Sequence, residues 1–176
     1  MKDELRAKVD AGRRGVTLVE LLLYVSLMAV MLLGVSILLA VLLSSRVKNQ
    51  TIAEVEQQGV QVLKTITNTI RNSENIISPL GGTSAASLVL DMLDATKDPT
   101  TFDLSASTVR ITEGASSPLP LTGARLIASG LEFQNLSRPA TPGTVRIKFT
   151  LAHINPETKN EFEYSKTFHA SASLRK

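Results

Sequence analysis

Chemistry needs side chains of the right type at the right spacing, and this chain offers few. It has no Cys, which excludes a thiolate nucleophile, a thiolate zinc site and disulfide staples together. Its two histidines, His153 and His169, fall in what read as the last two strands and are expected to neighbour each other there. No carboxylate is placed to orient either ring, so both read as surface strand histidines. Asp91, Asp94, Asp98 and Asp103 form one acidic cluster. Their spacing does not follow the ligand ladder of an EF-hand, so they read as solvated loop carboxylates and no metal site is expected. Gly81-Gly82-Thr83-Ser84 lacks the Lys and spacing of a phosphate-binding loop, and no Ser sits in a G-x-S-x-G turn. Arg110, Arg125, Arg138, Arg146 and Lys148 would make a basic patch for DNA. Without aromatics interleaved for base stacking they read as a solvated sheet face, and DNA stays an unsupported partner. Asn135-Leu136-Ser137 fits the N-x-S sequon by chance. No catalytic set and no cofactor fingerprint emerges, so the chain is read as non-enzymatic and without a cofactor.

Glu20 is the residue that its neighbours make unusual. It ends the string Arg13-Arg14-Gly15-Val16-Thr17-Leu18-Val19-Glu20, and after it the chain runs from Leu21 to Leu43 without a charge. A helix rising ~1.5 Å per residue would make that run about 35 Å long, enough to cross a hydrocarbon core of about 30 Å. It exceeds the roughly 7–15 apolar residues of a secretory signal, and no small-x-small cleavage site follows it. It is therefore expected to stay in the protein as a transmembrane helix. A carboxylate at the end of such a helix costs up to about 2.5–3.5 kcal/mol at mid-membrane and less near the interface. Snorkelling to the headgroups is the local remedy. Lys2, Arg6, Lys8, Arg13 and Arg14 precede the run, whereas Arg46 and Lys48 follow it. That bias places the head in the cytoplasm and residues 46–176 outside. The net charge of +3 is too mild to suggest a nucleic-acid binder from bulk charge alone.

Past the membrane the helical period persists. Ile52, Val55, Gly59, Val62, Leu63, Ile66 and Ile70 recur at spacings of three and four, with polar residues between them. Such a stripe should lie on a sheet. The helix is expected to fray over 72–78 and to be over by Pro79, a spine of roughly 90 Å if straight. Then the period changes to two, and strands are expected over 87–93, 108–113, 126–136, 144–154 and 162–173. In the best of them Val145, Ile147, Phe149 and Leu151 share one face, and Phe162, Tyr164 and Phe168 share a face of its partner. The run from Asn155 to Asn160 is the turn between the two. The expected fold class is α+β, with a long N-terminal helix packed on a C-terminal antiparallel β-sheet.

The string around Gly15 resembles the N-terminus of type IV prepilins and pseudopilins: a short basic leader, a Gly, a mostly apolar pentad ending in Glu, then a long apolar helix. Thr17, Leu18 and Glu20 match that pattern, while many members have Phe where this chain has Val16. The signature covers roughly residues 10–45. The resemblance implies that a membrane-embedded prepilin peptidase cuts between Gly15 and Val16 on the cytoplasmic face and methylates the new amino terminus. The leader charge is carried by Arg13 and Arg14, and Glu20 becomes the fifth residue, which the family uses in filament assembly. The new amine would be mostly cationic at neutral pH, and helix bundling would let it pair with Glu20, a device for register more than for stability.

The order of elements is similar to that of minor pilins and J-type pseudopilins. The absence of Pro between Leu21 and Leu43 argues for that group over the major pilins, which often carry one there. The division that follows is a cytoplasmic leader over 1–15, a transmembrane or filament-core helix over 16–45, an amphipathic continuation over 46–78, and an extracytoplasmic β-sheet domain over 79–176. The partners implied are prepilin peptidase, other pilin or pseudopilin subunits, the pilus assembly machinery and the lipid bilayer. The location is first the cytoplasmic membrane and then a cell-surface filament. The rival from another class is a single-pass, membrane-anchored binding or sensory domain that keeps residues 1–15 and does not need Glu20. A membrane-tethered hydrolase would need a constellation the sequence does not contain.

Overall fold

A helix whose first half is apolar on every side and whose second half is apolar on one stripe has two different environments to satisfy. The computed structural model describes residues 16–138 and 142–175. Helix α1 runs over Leu18–Asn72. It includes a stretch long and apolar enough to cross a membrane. The chain divides into two compact units between Ser44 and Ser45. In the first, the side chains of the apolar run are exposed throughout. In the second, Thr51, Val55, Gly59, Val62, Ile66 and Ile70 are the buried residues of α1; the sequence spacing marks out all of these but Thr51, which is buried where Ile52 was expected, while Ile52 and Leu63 are half-buried.

The helix stops six residues earlier than the amphipathic continuation expected over 46–78. Ser73 ends it: the hydroxyl donates to the carbonyl of Ile70 (2.8 Å), and the chain passes directly into strand β1, Ser73–Ser78. A serine bonded to the last turn does the work that Gly or Pro was expected to do at position 79 and beyond.

Two antiparallel sheets cover the second half of α1, where one was expected. The larger has the order β1-β3-β4-β5-β6, with β3 Leu88–Met92, β4 Thr100–Ser105, β5 Thr108–Glu113 and β6 Leu119–Pro120. The other has the order β2-β7-β8-β9, with β2 Ser84–Ala85, β7 Leu126–Asn135, β8 Thr144–His153 and β9 Ser165–Ser173. One core serves both. Val55, Val62, Ile66 and Ile70 of α1 pack in one cluster with Leu88, Leu90, Phe102 and Val109 of the first sheet, and with Phe133, Val145, Ile147, Phe149 and Leu151 of the second. The alternating face read in β8 is therefore wholly inside. Phe149 stacks on Phe168 across the β8–β9 pair, with ring centroids 5.4 Å apart. Gly59 lets that ring lie against the helix backbone, because a Cβ there would fall within the ring of Phe168.

Asn135 joins the sheets. Buried at the end of β7, it donates from Nδ2 to the carbonyl of Pro79 (2.7 Å) and accepts at Oδ1 from the Ser137 amide (2.9 Å) and hydroxyl. The sequon is thus a structural clasp. In β7, Gly130 and Leu131 stand opposite the single residue Phe149, a bulge that Gly130 makes with a φ of +60°. The last strand begins at Ser165, not at 162. Phe162 lies in a short 3-10 turn, Asn160–Phe162, and stacks on His153. Asn155 closes that loop, accepting from the Lys159 amide (2.9 Å) and donating to its carbonyl (2.8 Å).

Candidate functional site at the start of the apolar helix

Arg13, Arg14 and Gly15, three of the predicted site residues, lie outside the described residues, as does the whole span 1–15. Val16 and Glu20 are described, and three residues of one local motif fix the geometry around them. Thr17 is the last residue before α1, and its carbonyl accepts the first helical bond, from the Leu21 amide (3.0 Å). Its hydroxyl accepts the Glu20 amide at 3.2 Å. This is N-capping by Thr with Glu at the third helical position, the T-x-x-E spacing of a capping box. One orphan amide of the helix end is satisfied locally, which matters where water is scarce.

The Glu20 carboxylate is turned along the helix: Tyr24, one turn on, donates its hydroxyl to Oε1 at 3.2 Å. In the first turn the carboxylate also faces the positive end of the helix dipole. Val16 precedes the cap, 62% exposed. The surroundings of the motif are apolar and open, with Leu18, Val19, Leu22 and Leu23 all exposed. Ser26 and Ser36, the remaining hydroxyls of the run, donate to the carbonyls of Leu23 and Leu32 and so present little polarity outward (both 2.8 Å). The sequence pointed to Glu20, offered Thr17 only as a match to the prepilin pattern and not as a cap, and assigned no role to Tyr24. The T-x-x-E spacing marked Thr17, and the four-residue step marked Tyr24.

The weaker candidates are dispersed. His153 and His169 are not neighbours: His169 pairs with Lys148 in the β8–β9 ladder, and His153 pairs with Leu126 on the other side of β8. The register, with Ala152 opposite Ser165, carries His153 past the end of β9. There its Nε2 lies 3.9 Å from Glu54 Oε2 and its side chain is only 10% exposed, so it is not a surface residue. The four aspartates also part. Asp103 holds Arg110 directly across the β4–β5 pair, and that contact raises the guanidinium's pKa. Asp98 accepts the Met92 amide, and Asp94 accepts the amide and hydroxyl of Thr96, which lower its pKa. Among the described residues no group of three His, Asp or Glu side chains could hold a metal ion. Arg146 and Lys148 share the outer face of the second sheet, in rows with Gln134 and Glu132, while Arg110 belongs to the other sheet.

No family model, no curated protein and no solved structure matches this chain.

Proposed function

We propose that the protein is a minor pilin or pseudopilin: a filament subunit held in the cytoplasmic membrane by Leu21–Leu43, cut after Gly15, methylated at Val16 and assembled by helix bundling. The observation that carries this reading is where the helix begins. The cap is supplied by Thr17, on the far side of the proposed cut from the leader, so removing residues 1–15 leaves the start of α1 intact. Arg13 and Arg14 then serve the uncut form alone, holding its head in the cytoplasm with residues 46–176 outside. In the mature chain the Val16 amine would stand just before the cap and the Glu20 carboxylate in the first turn, and bundling away from water favours their pairing, within one chain or between neighbours. The partners that follow are prepilin peptidase, other subunits of a type IV pilus or a secretion pseudopilus, and the membrane machinery that lifts the helix from lipid.

Glu20→Ala tests the assembly role. Processing at Gly15 is expected to continue while incorporation into filaments falls, read by the mass of the membrane form and by the amount of subunit in sheared filaments. Normal incorporation of the variant would remove Glu20 from assembly. A second reading, a single-pass anchored binding domain, draws on the contacts of Glu20 itself. The dipole of the first turn and the Tyr24 hydroxyl give the carboxylate a local reason to be there. That reading requires residues 1–15 to be retained and Glu20 to be dispensable.

A further inference from the structure

Each sheet has two edges, and three of the four are blunted. Strands β2 and β6 are two residues long, and β6 contains Pro120. Strand β1 is broken by two register irregularities and runs into Pro79. Native sheets protect exposed edges with such shortness, prolines and bulges, because an unpaired edge is a template for another strand. Strand β9 has none of these. It is nine residues long, contains neither Pro nor Gly, and pairs with β8 in unbroken register from Ser165↔Ala152 to Ser173↔Thr144. Its one fixed charge, Lys166, is turned to Glu56 on α1 at 2.6 Å and does not guard the edge.

The hydrogen-bond phase says which groups are left over. Leu174 donates its amide to the Gly143 carbonyl (2.8 Å), and His153 donates its amide to the Tyr164 carbonyl (3.0 Å). In an antiparallel ladder the bonded pairs alternate. The even-numbered residues of β9 therefore exchange bonds with β8, and the N–H and C=O groups of Thr167, His169, Ser171 and Ser173 point away from the sheet.

We propose that this edge of β9 receives an extended segment of a partner protein, laid antiparallel and carrying small apolar side chains at alternate positions. The chemistry beside the edge sets that pattern. On the inner side, Tyr164 and Lys166 mark the flank of α1 that holds Glu56, and one turn further along that flank Val60 is 58% exposed. Side chains of an added strand on that side meet Val60, and those on the other side continue the polar rows Thr150↔Thr167, Lys148↔His169, Arg146↔Ser171 and Thr144↔Ser173. A second copy paired through its own β9 is disfavoured by size. Each copy seats its helix on its own Phe168 through Gly59, and two strands about 4.8 Å apart would crowd helices that need about 8–10 Å between axes. A lone extended segment brings no helix. The edge lies in the β-domain and is offered whether or not the chain is cut at Gly15.

The test uses the full chain in detergent micelles and, as probe, a synthetic ten-residue peptide alternating Thr and Val. Amide hydrogen exchange is followed by NMR with and without it. The peptide should slow the Thr167, His169, Ser171 and Ser173 amides by about tenfold or more while leaving those of Phe168 and Ala170 unchanged, whereas the same peptide N-methylated throughout should slow none. Ser171→Lys should weaken peptide binding by about tenfold without changing the melting of the β-domain, and Thr167→Lys replaces it if that variant does not fold. No protection at millimolar peptide, protection by the N-methylated form, or unchanged binding by the folded Lys variant would each overturn the proposal. Outward amides that are already slow without peptide, and that speed up on dilution, would assign the edge to a second copy and overturn the occupant proposed.

Discussion

Gly34 and Gly59 occupy the same kind of backbone in α1, yet a methyl group at Gly34 would meet nothing within 4 Å, whereas at Gly59 it would enter the ring of Phe168. The surrounding residues differ in the same way. Leu32, Leu33, Val35 and Ile37 are all more than half exposed, while Val55, Val62, Ile66 and Ile70 are at or below 1%. Both stretches are apolar enough to need cover. Among the described residues the chain provides its own cover, two sheets, for the later stretch and none for the earlier one. The earlier stretch is long and apolar enough to cross a membrane, and under the function proposed above lipid, and then the helices of other subunits, would supply the cover it needs.

The covered stretch is most sensitive at Gly59. Gly59→Ala adds a methyl that must displace Phe168 from its stack on Phe149, and overpacking of that kind costs about 1–3 kcal/mol against a helix-propensity gain of about 1. Thermal unfolding of the β-domain should show a drop in Tm, and a rise in Tm, the effect of helix propensity alone, would mean that α1 and β9 are not in close contact. A comparable loss, about 1–2 kcal/mol, is expected for Gly130→Ala in the β7 bulge. There the space is open and only the positive φ opposes a side chain, so Gly130→Asn should cost less than Gly130→Ala.

The pH dependence is a smaller effect. Hydrogen bonding and charge from Lys166, with a further bond from Tyr164, hold the Glu56 carboxyl below its ordinary value of 4.5. The same contact raises Lys166 above its ordinary 10.5. A carboxyl depressed in the folded state contributes stability that is complete above its unfolded pKa and is lost as pH falls through its folded one. The tie between α1 and β9 should therefore weaken below about pH 4.5 and, as Lys166 loses its proton, above about pH 10.5, and Glu56→Gln should flatten the acid limb of a Tm-against-pH profile. Both groups are exposed and the effect is screened by salt. Smallest of all is Gly34→Ala, which should leave the unfolding of the β-domain unchanged. A drop there would show that the apolar stretch is packed within the chain after all.

The stripe of α1 and the strands at 108–113 and 144–153 were legible because their partners are close in sequence or their period is unbroken. Val145, Ile147, Phe149 and Leu151 announce a face without help from any other residue. Strand β4 was missed, since Asp103 reads as a loop carboxylate until Arg110 is known to stand opposite it in the ladder. Strand β1 was hidden by a helix stop made from a serine hydroxyl, not from Gly or Pro. At the candidate site the sequence pointed to Glu20 through an electrostatic oddity. The capping role of Thr17 and the whole of Tyr24's part, both at ordinary spacings, became visible only through their hydrogen bonds.

Processing at Gly15 is read by intact-mass and N-terminal analysis of the protein purified from its own membrane. A chain that begins at Val16 and carries one added methyl is the predicted result. A chain that still begins at Met1 in the presence of active prepilin peptidase would contradict the filament reading, and would leave the apolar stretch of α1 as an anchor alone.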